Sequence, residues 1–282
     1  MIHRYCVTHA MPLLPEGWYG QWIALGDFDQ DSEFHVKQLD RFWHEARPIA
    51  FGAAGTHVLP IVIEKFSADA DLIEVSSYRK RVLPVRLGTE SRIYPTMREL
   101  RLGDTTATAD LAAFTPVDNL EFLVAQPLHI KKTVVGHYGL VHHRRDILDY
   151  ASLAIETGVL DADSAAEFLA AEHFIPCGIE LGIYPKSWLK RTWSKIELVG
   201  RQFLIRHGDR VKKYNRYQVR AVGFLGERLG SYLLIRHLKE KYANEIPGGV
   251  FGYMTTVVTD DSGYSAGLSE RSRSRLGRGS SI

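Results

Sequence analysis

Arg79, Lys80 and Arg81 are three consecutive cations that follow Ser77 and Tyr78 at the end of a short β-prone run, Leu72-Ile73-Glu74-Val75-Ser76. In open α/β sheets ligands bind just past the carboxyl ends of strands. Cations there suit a phosphate, because arginine offers a planar fork of donors and lysine a compact charge. Read alone, the segment fits a solvated basic turn better than a site. Other segments have to decide.

His137-Tyr138-Gly139-Leu140-Val141-His142-His143-Arg144-Arg145-Asp146 is dense in groups that bind charge. On one continuous helix His142 and Asp146 would share a face, orienting the histidine or holding a metal with a third ligand. The plainer alternative is an exposed helical turn with Tyr138 packed inward. Asp69-Ala70-Asp71 has the Asp-x-Asp spacing that holds Mg²⁺ or Mn²⁺ against a diphosphate. It precedes the β-prone run rather than following it, so turn acids are expected. Asp260-Asp261 follows the last expected strand and is better placed. Gly263-Tyr264-Ser265-Ala266-Gly267 matches a serine nucleophile elbow, yet no histidine follows it. Walker-type and dinucleotide glycine loops are absent.

Lys186 to Arg220 carries eleven lysines and arginines against Glu197 and Asp209, with Trp188 and Trp193 interleaved. Such a segment suits an anionic membrane surface or a pyrophosphate-bearing lipid, or is one solvated helix face.

The elements that must position these residues read as follows. Ile2 to Thr8 begins as a strand, and Val36, Leu39, Phe42 and Trp43 recur at helical spacing with Asp31 or Ser32 as N-cap. Thr56 to Phe66 is ambiguous, since Val58 to Ile63 looks β-like while Pro60 suits a helix start. Residues 84–118 read as a long irregular connection. Glu121 to Gln126 reads as a strand, 138–157 and 163–173 as helices, and Ile179 to Tyr184 as a short apolar segment. A helix from Pro185 to His207 places Trp188, Leu189, Ile196, Val199 and Phe203 near one face. A last long helix runs through Val222, Leu225, Leu229 and Leu233 to a stop at Pro247-Gly248-Gly249, and Met254 to Thr259 follows as a strand.

With 282 residues, 45% hydrophobic and 24% charged, the chain reads as soluble and globular. Net charge is +2, of which the segment from Ser262 to Ile282 holds +3, so the body is close to neutral and has no nucleic-acid signature. Cys6 and Cys177 make no disulfide framework or metal pattern. The expectation is one domain over 1–261, a flexible basic Ser/Gly/Arg tail over 262–282, and a cytoplasmic location.

Several segments, in this order, resemble a bacterial glycosyltransferase family catalogued as domain of unknown function 4422. A first strand with Val7-Thr8-His9, a strand ending in Ser77-Tyr78-Arg79-Lys80, the set Tyr138, His142 and Asp146, and the helix Gly223-Phe224-Leu225-Gly226-Glu227-Arg228-Leu229 match its motifs across roughly residues 2–240. The resemblance implies a GT-A-like α/β fold, a mostly parallel central sheet flanked by helices with a helical C-terminal half. It turns 56–66 into a helix and puts Pro176-Cys177-Gly178-Ile179 on the acceptor side.

It also implies transfer of a sugar from a nucleoside diphosphate donor, uridine-linked, to a glycan or glycolipid acceptor in surface polysaccharide synthesis, with peripheral contact at the inner membrane face through 186–220. Thr8, His9, Tyr78, Arg79 and Lys80 would bind the donor. Glu227, Arg228, His142 and Asp146 would be catalytic, with Glu227 or His142 as base or orienter and Arg220 or Arg228 adding charge. Cations at the strand end stand where many such enzymes hold an Asp-x-Asp-bound metal, so the site is metal-independent or differently liganded; Mn²⁺ or Mg²⁺ is the cofactor left open. Ser77 replaces the family histidine, Lys80 its final arginine, and Gly178 an asparagine-like position. Phosphate binding is therefore expected more firmly than turnover. The competing readings are a catalytically silent glycan- or partner-binding relative and a nucleic-acid binder.

Overall fold

A computed structural model of the chain describes residues 1–91, 94, 96–104, 116 and 119–259. β1 (Ile2–Thr8), β2 (Gln21–Ala24) and β3 (Leu72–Ser77) lie in parallel register. β3 turns through Tyr78 and Arg79 into β4 (Lys80–Leu83), which runs back with Ser77 opposite Lys80. β5 (Thr89–Glu90), β6 (Met97–Arg101), β7 (Leu123–Ala125), β8 (Leu128–His129), β9 (His173–Phe174), β10 (Gly182–Pro185) and β11 (Phe251–Val258) follow. The main sheet has the order β2-β1-β3-β10-β7-β11-β6-β5, with β4 pairing β3 and β11, while β8 and β9 form a separate antiparallel pair. β1, β2, β3, β6, β7 and β11 run one way and β4, β5 and β10 oppose them. The sheet is thus mostly parallel. Tyr5, Val7, Ile23, Ile73 and Val75 are buried on one face and Cys6, Ala24, Glu74 and Ser76 on the other, as in a sheet covered on both sides.

The stretch 84–118, expected to be irregular, contains β5 and β6. Of Met97-Arg98-Glu99-Leu100-Arg101 only Met97 and Leu100 are buried, so charge hides the strand in the sequence. The helix expected around Val36 to Trp43 is two, α1 (Val36–Leu39) and α2 (Arg41–Ala50). Neither Asp31 nor Ser32 caps them. The His35 side chain accepts the Lys37 N–H, and Asp40 accepts the Trp43 N–H at 3.1 Å. A carboxylate that offers itself to the backbone ends one helix and starts the next.

The ambiguous stretch is helical, as α3 (Ala53–His57) and α4 (Leu59–Phe66). Pro60 sits in the first turn of α4, where a missing N–H costs nothing. The helix expected over 138–157 is also two, α5 (Val134–Val141) and α6 (Arg144–Glu156), because His142 and His143 are extended. α7 (Ala162–Ala170), α8 (Lys186–Val211) and α9 (Ala221–Lys241) complete the helical C-terminal half. α9 stops before Pro247, where Ala243 and Asn244 take positive φ.

The face of α8 expected to be apolar is buried throughout, and Leu225 and Leu229 of α9 pack beside it. Each such side chain contributes about 1.5–3 kcal/mol. Gly226 and Gly230 let the two helices close up, since a Cβ on either would stand 3.3 Å from Ile196. No helix among the described residues is long and apolar enough to cross a membrane.

Candidate functional site

A cleft opens past the carboxyl ends of β1 and β3, bounded by the α2–α3 junction, the start of α9 and the turn at 176–181. It has two halves that share Gly52, Lys80, Cys177, Glu180 and Arg220. One half is cationic and the other aromatic.

The cationic half has a cavity volume of about 620 Å³, within the usual range for small-molecule sites. Arg47, Arg79, Lys80, Arg216 and Arg220 line it together with His9, Ser76, Ser77 and Tyr78. The two-residue turn between β3 and β4 puts Tyr78 and Arg79 at its tip. That tip is fixed by the Leu13 N–H donating to the Tyr78 carbonyl (2.7 Å) and the Val257 N–H donating to that of Arg79 (2.8 Å). His9 meets the Tyr78 ring edge-on at 5.0 Å. Burial, then the nearby charges of Arg47 and Arg79, lower the His9 pKa and hold the ring neutral. Phe51 closes α2 with φ 52°, and its ring lies 5.8 Å from the Arg47 guanidinium and 5.6 Å from that of Arg220. A non-glycine residue in the left-handed region at the mouth of a cleft is a strain of the kind found at functional sites.

The aromatic half is lined by Tyr94, His137, His142, Phe174, Tyr217 and Phe224. His142 stacks on Tyr217 (5.6 Å, 10° between planes), packs on Phe224 at 4.3 Å, and pairs its Nδ1 with Gln218 Oε1 at 3.0 Å. Burial and the Arg228 charge push the pKa of His142 down to about 3 and that of His137 to about 4, so both are neutral. The motif on α9 explains itself here. Gly223, Phe224, Glu227 and Arg228 face the cleft while Leu225 and Leu229 enter the core. Arg228 donates to the Phe224 carbonyl at 2.8 Å and spans the rings of Tyr138 and Phe174.

Two carboxylates stand where the halves meet. Glu227 Oε1 accepts the Cys177 N–H at 2.5 Å, and its Oε2 lies 3.3 Å from Arg228. Glu180 closes the adjoining turn, its N–H donating to the Cys177 carbonyl at 2.8 Å. Burial, reinforced by the charge of Glu227 and opposed by Lys80 and Arg220, pushes the Glu180 carboxyl up to about 8. The Cys177 thiol is pushed up to about 12, chiefly by burial, and so stays protonated beside Lys80 (3.9 Å). Glu180 carries no motif in the sequence. Its one signal is a lone acid inside the apolar run Ile179-Glu180-Leu181, next to the Pro176-to-Ile179 segment expected on the acceptor side.

Of the residues expected to act, His9, Tyr78, Arg79, Lys80, His142, Glu227 and Arg228 line the cleft. Thr8, Arg81 and Asp146 do not. The Thr8 hydroxyl bonds the Ala10 backbone within the loop after β1. Arg81 points to the other face, where Nε and Nη2 clasp Glu74 at 2.5 and 2.9 Å. Asp146 is buried at the start of α6 and accepts from Arg210 (2.7 Å) and Tyr214 (3.0 Å), so the helix break removes the shared face proposed for His142 and Asp146. Asp69 pairs with His3 at the opposite end of the sheet. Asp260, Asp261 and the 263–267 segment lie outside the described residues.

Among the described residues no group of three or more His, Cys, Asp and Glu side chains is arranged to hold a metal. Glu227 is engaged by Cys177 and Arg228, and Glu180 stands beside Lys80 and Arg220.

The fold can be compared with solved structures. The apo structure of WbbM, a bifunctional glycosyltransferase, superposes on 92% of this chain and 46% of its own length with a TM-score of 0.63 at 14% identity. This is a glycosyltransferase fold. The chain spans about half the length of that relative. No protein-family model and no curated protein matches the chain. On the glycosyltransferase fold the cationic half of the cleft occupies the strand ends, the position at which open α/β sheets take their ligands.

Proposed function

We propose that the chain is a glycosyltransferase that binds a nucleoside diphosphate sugar in the cationic half of its cleft and an acceptor glycan or glycolipid in the aromatic half. The observation that carries this reading is the convergence of five cations, from α2, the β3–β4 turn and the segment before α9, on one cavity at the strand ends. Leaving-group departure puts charge on a diphosphate, and fixed guanidinium and ammonium groups stabilise that developing charge without reorganising. The flat rings of Tyr217 and Phe224 suit the apolar face of a sugar. Likeness to the bacterial family of domain of unknown function 4422 supports uridine as the nucleoside and surface polysaccharide as the product.

Uridine diphosphate binding, followed by calorimetry in the presence of a chelator, tests the donor site. Binding that survives chelation and weakens at least about tenfold in Arg79→Ala supports it, a charge-assisted contact contributing about 1.5–3 kcal/mol. Absence of binding by uridine diphosphate and by every nucleotide sugar of a panel overturns it. Ser77, in place of the family histidine, favours a second reading as a silent binder. Binding without donor turnover is its mark.

A further inference from the structure

Glu180 stands in both halves of the cleft, facing the cationic cavity on one side and the aromatic wall on the other. The turn that presents it is unusual. Cys177 and Gly178 take φ of 64° and 53° in succession. The turn is docked on α9 twice. The Cys177 N–H reaches the Glu227 carboxylate, and Gly178 packs so tightly that a Cβ would stand 2.3 Å from the Glu227 carbonyl oxygen. Glycine adopts this conformation freely, but the left-handed Cys177 costs free energy that an ordinary loop would avoid. What the strain achieves is the placement of one carboxylate at the boundary between donor and acceptor.

Resting on the proposed transfer reaction, we infer that Glu180 is the catalytic base and that Glu227 positions it. The acceptor oxygen attacks the anomeric carbon while its proton passes to a Glu180 carboxylate oxygen. The bond from the anomeric carbon to the diphosphate oxygen breaks, and its electron pair leaves with the diphosphate. The groups that set the charge of Glu180 are Glu227 from α9, Lys80 from β4 and Arg220 before α9, while the Cys177 thiol and the Tyr184 hydroxyl, both neutral, feel its charge in turn. Its carboxyl, raised to about 8, is a stronger base than an exposed glutamate and still partly ionised near neutrality.

The test uses the full chain, uridine diphosphate for binding, and a panel of uridine diphosphate sugars with water as acceptor for turnover. Glu180→Gln should bind uridine diphosphate within about threefold of the unaltered protein yet turn donors over at least about a hundredfold more slowly. In the unaltered protein kcat/KM should rise with pH along a limb whose midpoint lies near 8, and this limb vanishes in Glu180→Gln. Glu227→Gln, which keeps an acceptor for the Cys177 N–H but removes the neighbouring charge, should move that limb to lower pH. Glu227→Ala should lower turnover further than Glu227→Gln does. Undiminished turnover with an intact limb in Glu180→Gln overturns the assignment, and so does an unaltered protein that binds uridine diphosphate but turns over no donor. Failure to bind uridine diphosphate or any donor overturns the transfer reading itself.

Discussion

Lys80 and Arg81 are adjacent on β4, and a strand sends adjacent side chains to opposite faces. Lys80 lines the cleft, while Arg81, 1% exposed, closes a buried pair with Glu74 that Arg4 joins at 2.9 Å. A run of three cations is thus divided between the cleft and a buried ion pair. Glu74→Ala removes the bidentate partner of a buried guanidinium, and such changes cost about 3–5 kcal/mol. The midpoint of urea unfolding should fall accordingly, while uridine diphosphate binding by the protein that remains folded should persist. Histidine pairing on the aromatic side brings a pH dependence. His137 and His142 titrate at about 4 and about 3 in the folded chain, but near 6.5 when unfolded. The unfolded chain therefore binds more protons over that interval, and stability falls as pH drops from about 6.5 toward 3. His142→Gln, neutral at every pH, should show a shallower loss of Tm over that range. The cations at 79 and 80 were legible because charge at a strand end is a local pattern. Glu180 was not, because its setting is made by a turn docked on α9, residues far away in the chain.

At the level of elements, helical period was legible and helix breaks were not. The spacing of apolar residues continues across Asp40 and across His142-His143, so a periodic reading joins α1 to α2 and α5 to α6. The breaks depend on which side chain wins the backbone N–H groups, an outcome that packing decides. The long amphipathic helices α8 and α9 were readable because each buries one continuous stripe, and the α9 motif showed its second, cleft-facing stripe as well. β6 was missed because its three charged residues outnumber its two buried ones. The 177–180 turn carries the sharpest prediction at this scale. Gly178→Ala adds a Cβ at φ 53° and 2.3 Å from a carbonyl oxygen of α9. The conformational penalty alone is about 1 kcal/mol, or about 2–4 °C in Tm for a chain of this size, and the overlap adds to it. Because α9 and the turn must part to relieve the clash, donor turnover should fall with stability, as a paired thermal melt and turnover assay would record. Gly158→Ala, at φ 70° with open space around it, shares the conformational penalty and should leave turnover unaltered.

Across the whole molecule, the distribution of positive charge is the property that sequence reading most overstated. The basic segment 186–220 is not one face. Lys190 pairs with Glu64, Arg201 with Asp40 and Glu197, Arg206 with Glu156, Arg210 with Asp146 and Asp149, and Lys212 with Asp209. Lys186 donates to the carbonyls of Ser67 and Ala68 at the end of α4, while Arg216 and Arg220 face the cleft. Lys213 stands exposed just past α8, and Arg191 and Lys195 are left on the outer side of that helix, whose Leu198 and Ile205 are 39% and 59% exposed. A cation near an anionic bilayer contributes about 1 kcal/mol, so this pair accounts for about 2 kcal/mol of attraction, worth about thirtyfold in affinity. Residues 262–282, with four arginines and one glutamate, carry a further +3. Sedimentation with anionic vesicles should therefore show weak, reversible binding that Arg191→Ser with Lys195→Ser reduces by about thirtyfold and that removal of 262–282 reduces as well. At about 1 M salt, where the screening length is about 3 Å, binding should disappear, and neutral vesicles should not bind at any salt concentration. Vesicle binding indifferent to salt and to both changes would mean that Leu198 and Ile205, rather than the basic residues, make the contact.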